Sequence, residues 1–447
     1  GPTGPAGPVG TTADVTLYVS PTGSDSNDGL TVGTPLLNVQ TALDKVPTLR
    51  THNVTVNLAA GNYGTADMTN LQISSGKVTS LLGALGAPTL GSGTTSGIVG
   101  SVIAASGETQ QSFTDSGQAW AVNALRGMFV SLNGSTNYRQ ITSNTATQIT
   151  LSSTGTVTVG QTYQILEAAS ILMVSSGSNP VVRVQASQSR TVNVRLAHLK
   201  LVNSGSTSSA VLVESGAVHL QYCHVTSSPS NVYTITANIA SVCQISTCFV
   251  ANTGNFGCML IGSSGSVESL NLGGSYFLQS GSSSATLNIT SCGLFSASGL
   301  LLERVVSSSS PVMEVFAMTS GQSQGRGLQL RAPVGNTGPG LRIGADSTTT
   351  QGPVSMGVTA LACTNFSICV AVGSGRFISG GTTFNTATTG FQVTNGGTIR
   401  LTGAVTVTAV TNDIAIDGTN YTLAALAAAA PLQVLNNAQT FSKIQNF

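Results

Sequence analysis

The 447-residue chain carries 52 glycines and only 7% charged residues, 16 basic against 15 acidic. So few Lys and Arg leave little charge to neutralise phosphates, which excludes a nucleic-acid binder, and coiled coils need far more Glu, Lys and Leu. A hydrophobic content of 40% and a mean hydropathy of +0.26 are too high for a solvated coil, and the Gly/Ser/Thr/Val bias favours β-structure.

The chain opens with GPTGPAGPVG, three Gly-Pro-Y triplets and the glycine of a fourth. Only Gly fits the crowded axis of a collagen triple helix, and Pro pre-sets its extended conformation. Residues 1–10 therefore read as the end of a collagen-like Gly-X-Y stalk, with a longer stretch expected upstream. Such a stalk has three chains, so a homotrimer is expected.

Residues 14–100 follow as a start module. The strand LYVS precedes PTGSDSNDG, which is dense in turn formers. Thr34 is placed as a helix N-cap with Pro35 at the first helical position. Leu36, Val39, Leu43 and Val46 then share one helix face, and Val54, Val56 and Leu58 alternate as a strand. Asp25, Asn27 and Asp28 cluster oxygen atoms. The longer ligand series and closing Glu of an EF-type calcium loop are missing, so they read as turn residues.

This stretch, YVSPTGSDSNDGLTVGTPLLNVQTALDKVP followed by VTVNLAAGNY, resembles the start of the pectin-lyase-like superfamily. The likeness covers about 50 residues well and the remainder only in repeat texture. It implies an all-β fold, a right-handed parallel β-helix whose N-terminal helix caps the open end of the stack. Its members include polysaccharide-active enzymes, phage tail spikes and bacterial surface proteins, so it says little about function.

Residues 101–168 differ in texture and read as a small inserted β subdomain of antiparallel strands, with Trp120 as a core anchor. From residue 169 to 420 the chain repeats loosely. VHLQYCHV, CQISTCFV, LNLGGSYFL and LNITSCGLF superpose so that Cys223, Cys248, Ser275 and Cys292 match. Stacked coils place equivalent residues about 4.8 Å apart. These small side chains are expected to form an internal ladder, with the odd set of seven cysteines acting as buried hydrophobes. Residues 421–447 hold an Ala-rich stretch ending at Pro431 and read as a C-terminal cap. The eight apolar residues Leu423 to Ala430 are far short of the ~20 of a membrane span.

Glycan-cleaving β-helices depend on carboxylates: a hydrolase needs a general acid and a second carboxylate. The resemblance implies clustered Asp and Glu holding Ca²⁺, with an Arg as base, in the pectate lyases. No Asp occurs between residues 116 and 345, and Glu167, Glu214, Glu268, Glu303 and Glu314 are isolated from one another. Glu303 and Glu314 are 11 residues apart and are expected on different faces. His219 and His224, five apart, make a poor metal pair. The catalytic pattern maps onto no residue, so no catalytic, cofactor-binding or metal-ligating residue is assigned, no cofactor is implied, and the chain is expected not to be an enzyme. A mild basic excess remains between residues 183 and 342. There Arg183, Arg190, Arg195, Lys200, Arg304, Arg326, Arg331 and Arg342 face four acidic residues, an asymmetry suited to an anionic glycan or to pairing with backbone carbonyls.

The sequence thus leads to a non-enzymatic extracellular fibre or adhesin, a trimeric β-helix tip on a collagen-like stalk. It would attach a spore, cell surface or virion tail to a surface glycan or host receptor through the avidity of three copies. No nucleic acid and no membrane span enter this expectation. The alternatives are a polysaccharide depolymerase, lyase or glycoside hydrolase, of the tail-spike type, and a purely architectural surface protein.

Overall fold

The computed structural model describes residues 13–46, 49–73, 77–103, 111–152, 156–186, 193–263, 265–323, 327–344, 354–394, 397–401, 405–416, 419–421 and 434–435. The collagen-like residues 1–10 and nearly all of the expected C-terminal cap lie outside them. So do Arg190 and Arg326.

The described chain is a parallel β-solenoid of about 13 turns. Through Pro339–Ile343 the coils lay one strand on each of three faces, and later strands run over two. The first face is a thirteen-stranded sheet running from Val15–Val19 through Val54–Leu58, Thr79–Leu82 and Asn193–Ala197 onward. The second and third faces form one continuous sheet. A strand such as His224–Ser227 lies on the second face, and Ile235–Ala237 on the third.

The two-residue period of a strand decides which side chains enter the core. In Val54–Leu58 the burial alternates, with Val54, Val56 and Leu58 inside. The same inner position recurs in register as Val56, Leu81, Leu196, Leu220, Ile245, Leu272 and Ala297, all fully buried. Burying each of the Val, Leu and Ile side chains in this row contributes on the order of 1.5–3 kcal/mol.

The corner between the first and second faces turns on a single residue with positive φ. His198 (57°), Tyr222 (52°), Thr247 (51°), Gly274 (58°) and Gly299 (66°) occupy it in consecutive coils. The amides of the first four bond the carbonyl of the next coil, as in His198 N–H to Gln221 O at 3.1 Å and Gly274 N–H to Ser298 O at 2.7 Å. Directly after this corner comes the small-residue ladder. The Cys223 amide donates to Cys248 Sγ (3.4 Å), and the Cys248 amide to Ser275 Oγ (3.1 Å). Cys292 is not part of it. It begins a first-face strand and pairs with Val267 and Met318, and the fourth rung is Leu300. The 17-residue offset to Cys292 is too short for a coil; the true spacing stays at 25 to 27 residues. All seven cysteines are buried and free. Burial pushes the thiols of Cys243 and Cys258 up to about 12.

The second corner holds a polar ladder that the sequence did not reveal: Asn203, Ser227, Asn252, Gln279 and Arg304 stack in register, each buried. Except for Ser227, whose buried hydroxyl has no hydrogen-bond partner among the described residues, their side chains bond the carbonyls of the loops that round this corner. Asn252 Nδ2 donates to Val232 O and Gly257 O, both at 2.9 Å, and the Arg304 guanidinium donates to Gln279 Oε1, Ser284 O, Ser310 O and Pro311 O. Arg304 is therefore a structural cation; burial lowers its affinity for the proton to a pKa of about 10.

The predicted helix is shorter than its apolar spacing suggests. It spans Val39–Asp44 with Asn38 as N-cap, not Thr34. Leu36 instead makes a parallel bridge with Val19, exchanging backbone bonds with Tyr18 and Ser20, so the chain is still extended there. Pairing to an existing strand competes successfully with the first helical turn, which is costly to nucleate. Leu36, Val39, Leu43 and Val46 are all buried nonetheless.

Between Gly83 and Ser170 the chain leaves the solenoid. Strands from Leu85–Gly86 to Thr162–Ala168 build an eight-stranded sheet of antiparallel pairs. Its own core holds Phe113, Leu125, Ile141, Ile149 and Trp120, whose Nε1 donates to Thr94 O at 3.0 Å. The insertion leaves at the first corner and returns at the same rung: Leu82 pairs with Ala197, and Ser170 with Leu199 and Gly61. The register of the stack is undisturbed.

Candidate functional site

The large aromatic side chains at outward positions of the second face lie where the inserted sheet covers them. His224, Phe249, Tyr276 and Leu301 stack in register, and Phe249, Tyr276 and Leu301 are nearly or wholly buried. Their rings meet edge-on or tilted, His224 to Phe249 at 4.7 Å and Phe249 to Tyr276 at 5.3 Å between centroids. Gly127 (φ +85°) lies directly on Phe249: a Cβ there would stand 2.7 Å from the ring, so the glycine allows the close approach. Ser152 Oγ donates to Gly274 O at 2.9 Å and ties the far side of the insertion down.

At the edge of this contact stands Glu303, next to the aromatic row. Its Oε2 accepts the Tyr276 hydroxyl at 2.7 Å, and its Oε1 lies 3.7 Å from Arg126 Nη2. The Arg126 guanidinium sits 5.8 Å from the Tyr276 ring centroid, and its Nε donates to Thr142 O, a bond within the insertion. Burial first and the Glu303 charge second push the Tyr276 phenol well above its ordinary value, so it stays a hydrogen-bond donor. The Glu303 side chain is 18% exposed and remains reachable from solvent. Arg331 occupies the same outward position one coil on. In the same two coils, on the third face, Glu314 stands over Arg342 in register, with Oε1 and Nη1 3.3 Å apart. The same two coils thus carry a Glu-over-Arg rung on each of two faces, and the insertion contributes a third arginine at the Glu303 rung.

This arrangement can hold an anionic group on guanidinium donors, and it presents one carboxylate whose orientation is fixed by a phenol and a guanidinium. Glu303 and Glu314 lie on different faces, as their spacing suggested, and each has its own arginine. The sequence did not reveal the meeting of Arg126, Tyr276 and Glu303, which are up to 177 residues apart. A signal was present: large aromatics at outward positions of coils that otherwise expose small polar residues.

The other sequence candidates separate. Asp25 accepts the Leu37 and Asn38 amides, and Asp28 the Leu30 amide and the Thr34 hydroxyl. These bonds lower both carboxyls below their ordinary value and make them turn clamps. His219 lies on the first face beside Arg195 and His224 on the second, with the Tyr222 corner between them. Among the described residues no group of three or more His, Cys, Asp or Glu could hold a metal ion, and no helix is long and apolar enough to cross a membrane.

No family profile and no curated protein matches the chain. Similar solved structures include a glycoside hydrolase, at 8% identity and a TM-score of 0.33, covering 90% of this chain and 96% of that one. XylC in complex with xylose follows at 10% identity and a TM-score of 0.24, covering 88% and 70%. The Gp54 tailspike of Acinetobacter baumannii bacteriophage AP22, in complex with A. baumannii capsular saccharide, has 8% identity and a TM-score of 0.28, covering 82% and 70%. This finding overturns the expectation that the chain is not an enzyme, because a glycoside hydrolase and XylC stand among the proteins it is similar to. The likeness is one of fold, and what those proteins bind or cut is theirs.

Proposed function

We propose that the chain is the saccharide-engaging solenoid of an extracellular spike, a polysaccharide depolymerase of the tail-spike type working at the seam between the inserted sheet and the second face. One observation carries the reading: half-buried Glu303, fixed by the Tyr276 hydroxyl and Arg126, has Arg331 at the same outward position one coil on. In a chain with only 7% charged residues, this concentration is exceptional. The arginines would hold an acidic sugar, and Glu303 would move the proton, a contribution worth about 10²–10⁴-fold in such reactions.

The test is incubation with acidic and neutral surface polysaccharides. Reducing-end release and the ultraviolet absorbance of an unsaturated product separate hydrolysis from elimination. Release from an acidic polysaccharide is expected, falling about 100-fold or more in Glu303→Gln. No product from any polysaccharide, or an unchanged rate in Glu303→Gln, would overturn the reading.

The finer reading is a homotrimer on a collagen-like stalk at a virion tail or at a spore or cell surface. The helix Val39–Asp44 would close the N-terminal end of a pectin-lyase-like stack. Its support is the Gly-Pro-Y run and the sequence resemblance. Light scattering should give a mass near three times 45.0 kDa; a 45.0 kDa monomer at micromolar concentration would sink it.

A further inference from the structure

The second corner changes along the solenoid, and the change leaves a groove. From Leu199–Asn203 to Pro339–Ile343, a loop joins the second face to the third in each coil, the last being 332–338. From Leu361 onward the loop is absent. Strands Leu361–Val372, Thr382–Val393 and Val405–Ile416 each run over both faces, bending at one residue of positive φ: Asn365 (65°), Thr386 (57°) and Ala409 (52°). The last loop therefore overhangs three tight corners. Between them lies an open groove of about 480 Å³, within the roughly 300–1,000 Å³ of small-molecule sites.

Among the described residues no ionisable side chain lines this groove. Val334 and Phe366 give it apolar wall, and Thr388 and Thr411 are exposed along its floor. Asn365 donates its amide nitrogen to Ala332 O at 3.0 Å, which leaves the carbonyl oxygen as an acceptor. Ser367 Oγ bonds Thr337 O (2.5 Å) and Gly338 O (3.2 Å) and so pins the overhanging loop to the first tight corner. The wall is held in place rather than left to close on binding.

We propose that this groove is a subsite for neutral sugar residues, separate from the charged seam. A pyranose ring offers C–H faces and hydroxyls together, and the groove offers apolar wall, hydroxyls and an amide oxygen in the same space. A charged sugar would lose hydration there and meet no ion-pair partner among the lining side chains. The inference deepens the saccharide reading of the solenoid and rests on it: the seam takes acidic residues of a polysaccharide, the groove neutral ones.

The experiment is isothermal titration of the full chain with neutral glucose, galactose and mannose tetrasaccharides, and with tetragalacturonate as the acidic probe. At least one neutral tetrasaccharide is expected to bind. Its Kd should rise at least tenfold in Thr388→Trp, where the indole fills the groove, while the tetragalacturonate affinity stays unchanged. If Thr388→Trp melts early, Thr411→Trp from the next coil makes the same test. Absence of neutral binding, or an unchanged Kd in the folded Trp variant, overturns the groove. A wild-type protein that binds a neutral tetrasaccharide in the groove yet releases no product from any polysaccharide would sink the seam alone.

Discussion

The solenoid and the sheet inserted into it solve the same problem in opposite ways. In the solenoid the neighbour of a buried side chain is the same position one coil on. Leu196, Leu220 and Ile245 therefore stack without any of them needing a partner of special shape. The insertion has no repeat. Its core is a closed set of unlike pieces, with Phe113, Trp120 and Tyr163 packed at ring distances of 5.2 and 6.2 Å. The two meet without merging, because the insertion departs and returns at one corner. The contrast locates where chemistry can arise in a repeating fold. A perfect repeat offers one surface many times over; a site needs a break. Here one break is the seam, where aperiodic Arg126 reaches periodic Glu303, and the other is the end of the second-corner loops.

If the comparison holds, the two regions unfold as separate units, and the chain has a built-in reporter. Its only tryptophan, Trp120, is in the insertion. Phe113→Ala should cost about 3–5 kcal/mol and move the Trp120 fluorescence transition, leaving the far-ultraviolet transition of the solenoid in place. Leu220→Ala, at about 2–5 kcal/mol, should do the reverse. If either variant shifts both signals together, the regions form one cooperative unit and the comparison breaks. Arg304→Ala comes next, at on the order of 3 kcal/mol, because it takes the guanidinium donors from the Ser310 and Pro311 carbonyls and one donor each from Gln279 Oε1 and Ser284 O, which keep Thr286 and Gln279 as partners. Denaturation followed in the far ultraviolet checks it. A loss below about 1 kcal/mol would mean that water satisfies the corner as well as the guanidinium does.

Much of the fold was legible because repetition writes itself into sequence. The alternation of Val54, Val56 and Leu58 and the matching of Cys223, Cys248 and Ser275 were enough to infer stacked coils. Cys292 misled because texture was matched without holding the coil length fixed. The N-cap at Thr34 failed because an already formed strand captured Leu36 first. The seam was illegible for another reason: Arg126 and Glu303 come from unrelated segments, and no local pattern announces a contact set by where an insertion folds back. Scarcity of carboxylates also misled the functional reading, since a count across the chain says nothing about whether one carboxylate is held by a phenol and an arginine.

The aromatic row under the insertion makes stability depend on pH. Burial first and the Lys200 charge second push His224 from its ordinary 6.5 down to about 3, so the folded protein holds it neutral. Between those values the unfolded chain binds the extra proton. The stabilisation is therefore complete above about pH 6.5 and declines as pH falls toward 3. The melting temperature should drop across this window, and His224→Gln should flatten the decline. His198 and His219, lowered in the same direction by burial and Arg195, would preserve part of the slope. An identical profile in His224→Gln would mean that the insertion lifts away before the imidazole titrates, which would again separate the two regions.

The smallest effect probes the corner itself. Gly274 shares its rung position with His198, Tyr222 and Thr247, all at positive φ. Non-glycine residues carry a cost of about 1–2 kcal/mol in that conformation, and three coils bear it already. Gly274→Val should therefore lose about 1–2 kcal/mol, since a Cβ there would stand 3.3 Å from Thr247 Oγ1 and fits with little displacement. The carbonyl of Gly274 also receives Ser152, so the same variant tests the anchor of the insertion. A loss seen only in the far ultraviolet assigns the cost to backbone conformation within the stack. A loss that also loosens Trp120 fluorescence means the corner and the insertion share their stability, and the boundary between the two regions then runs through the first corner rather than along the seam.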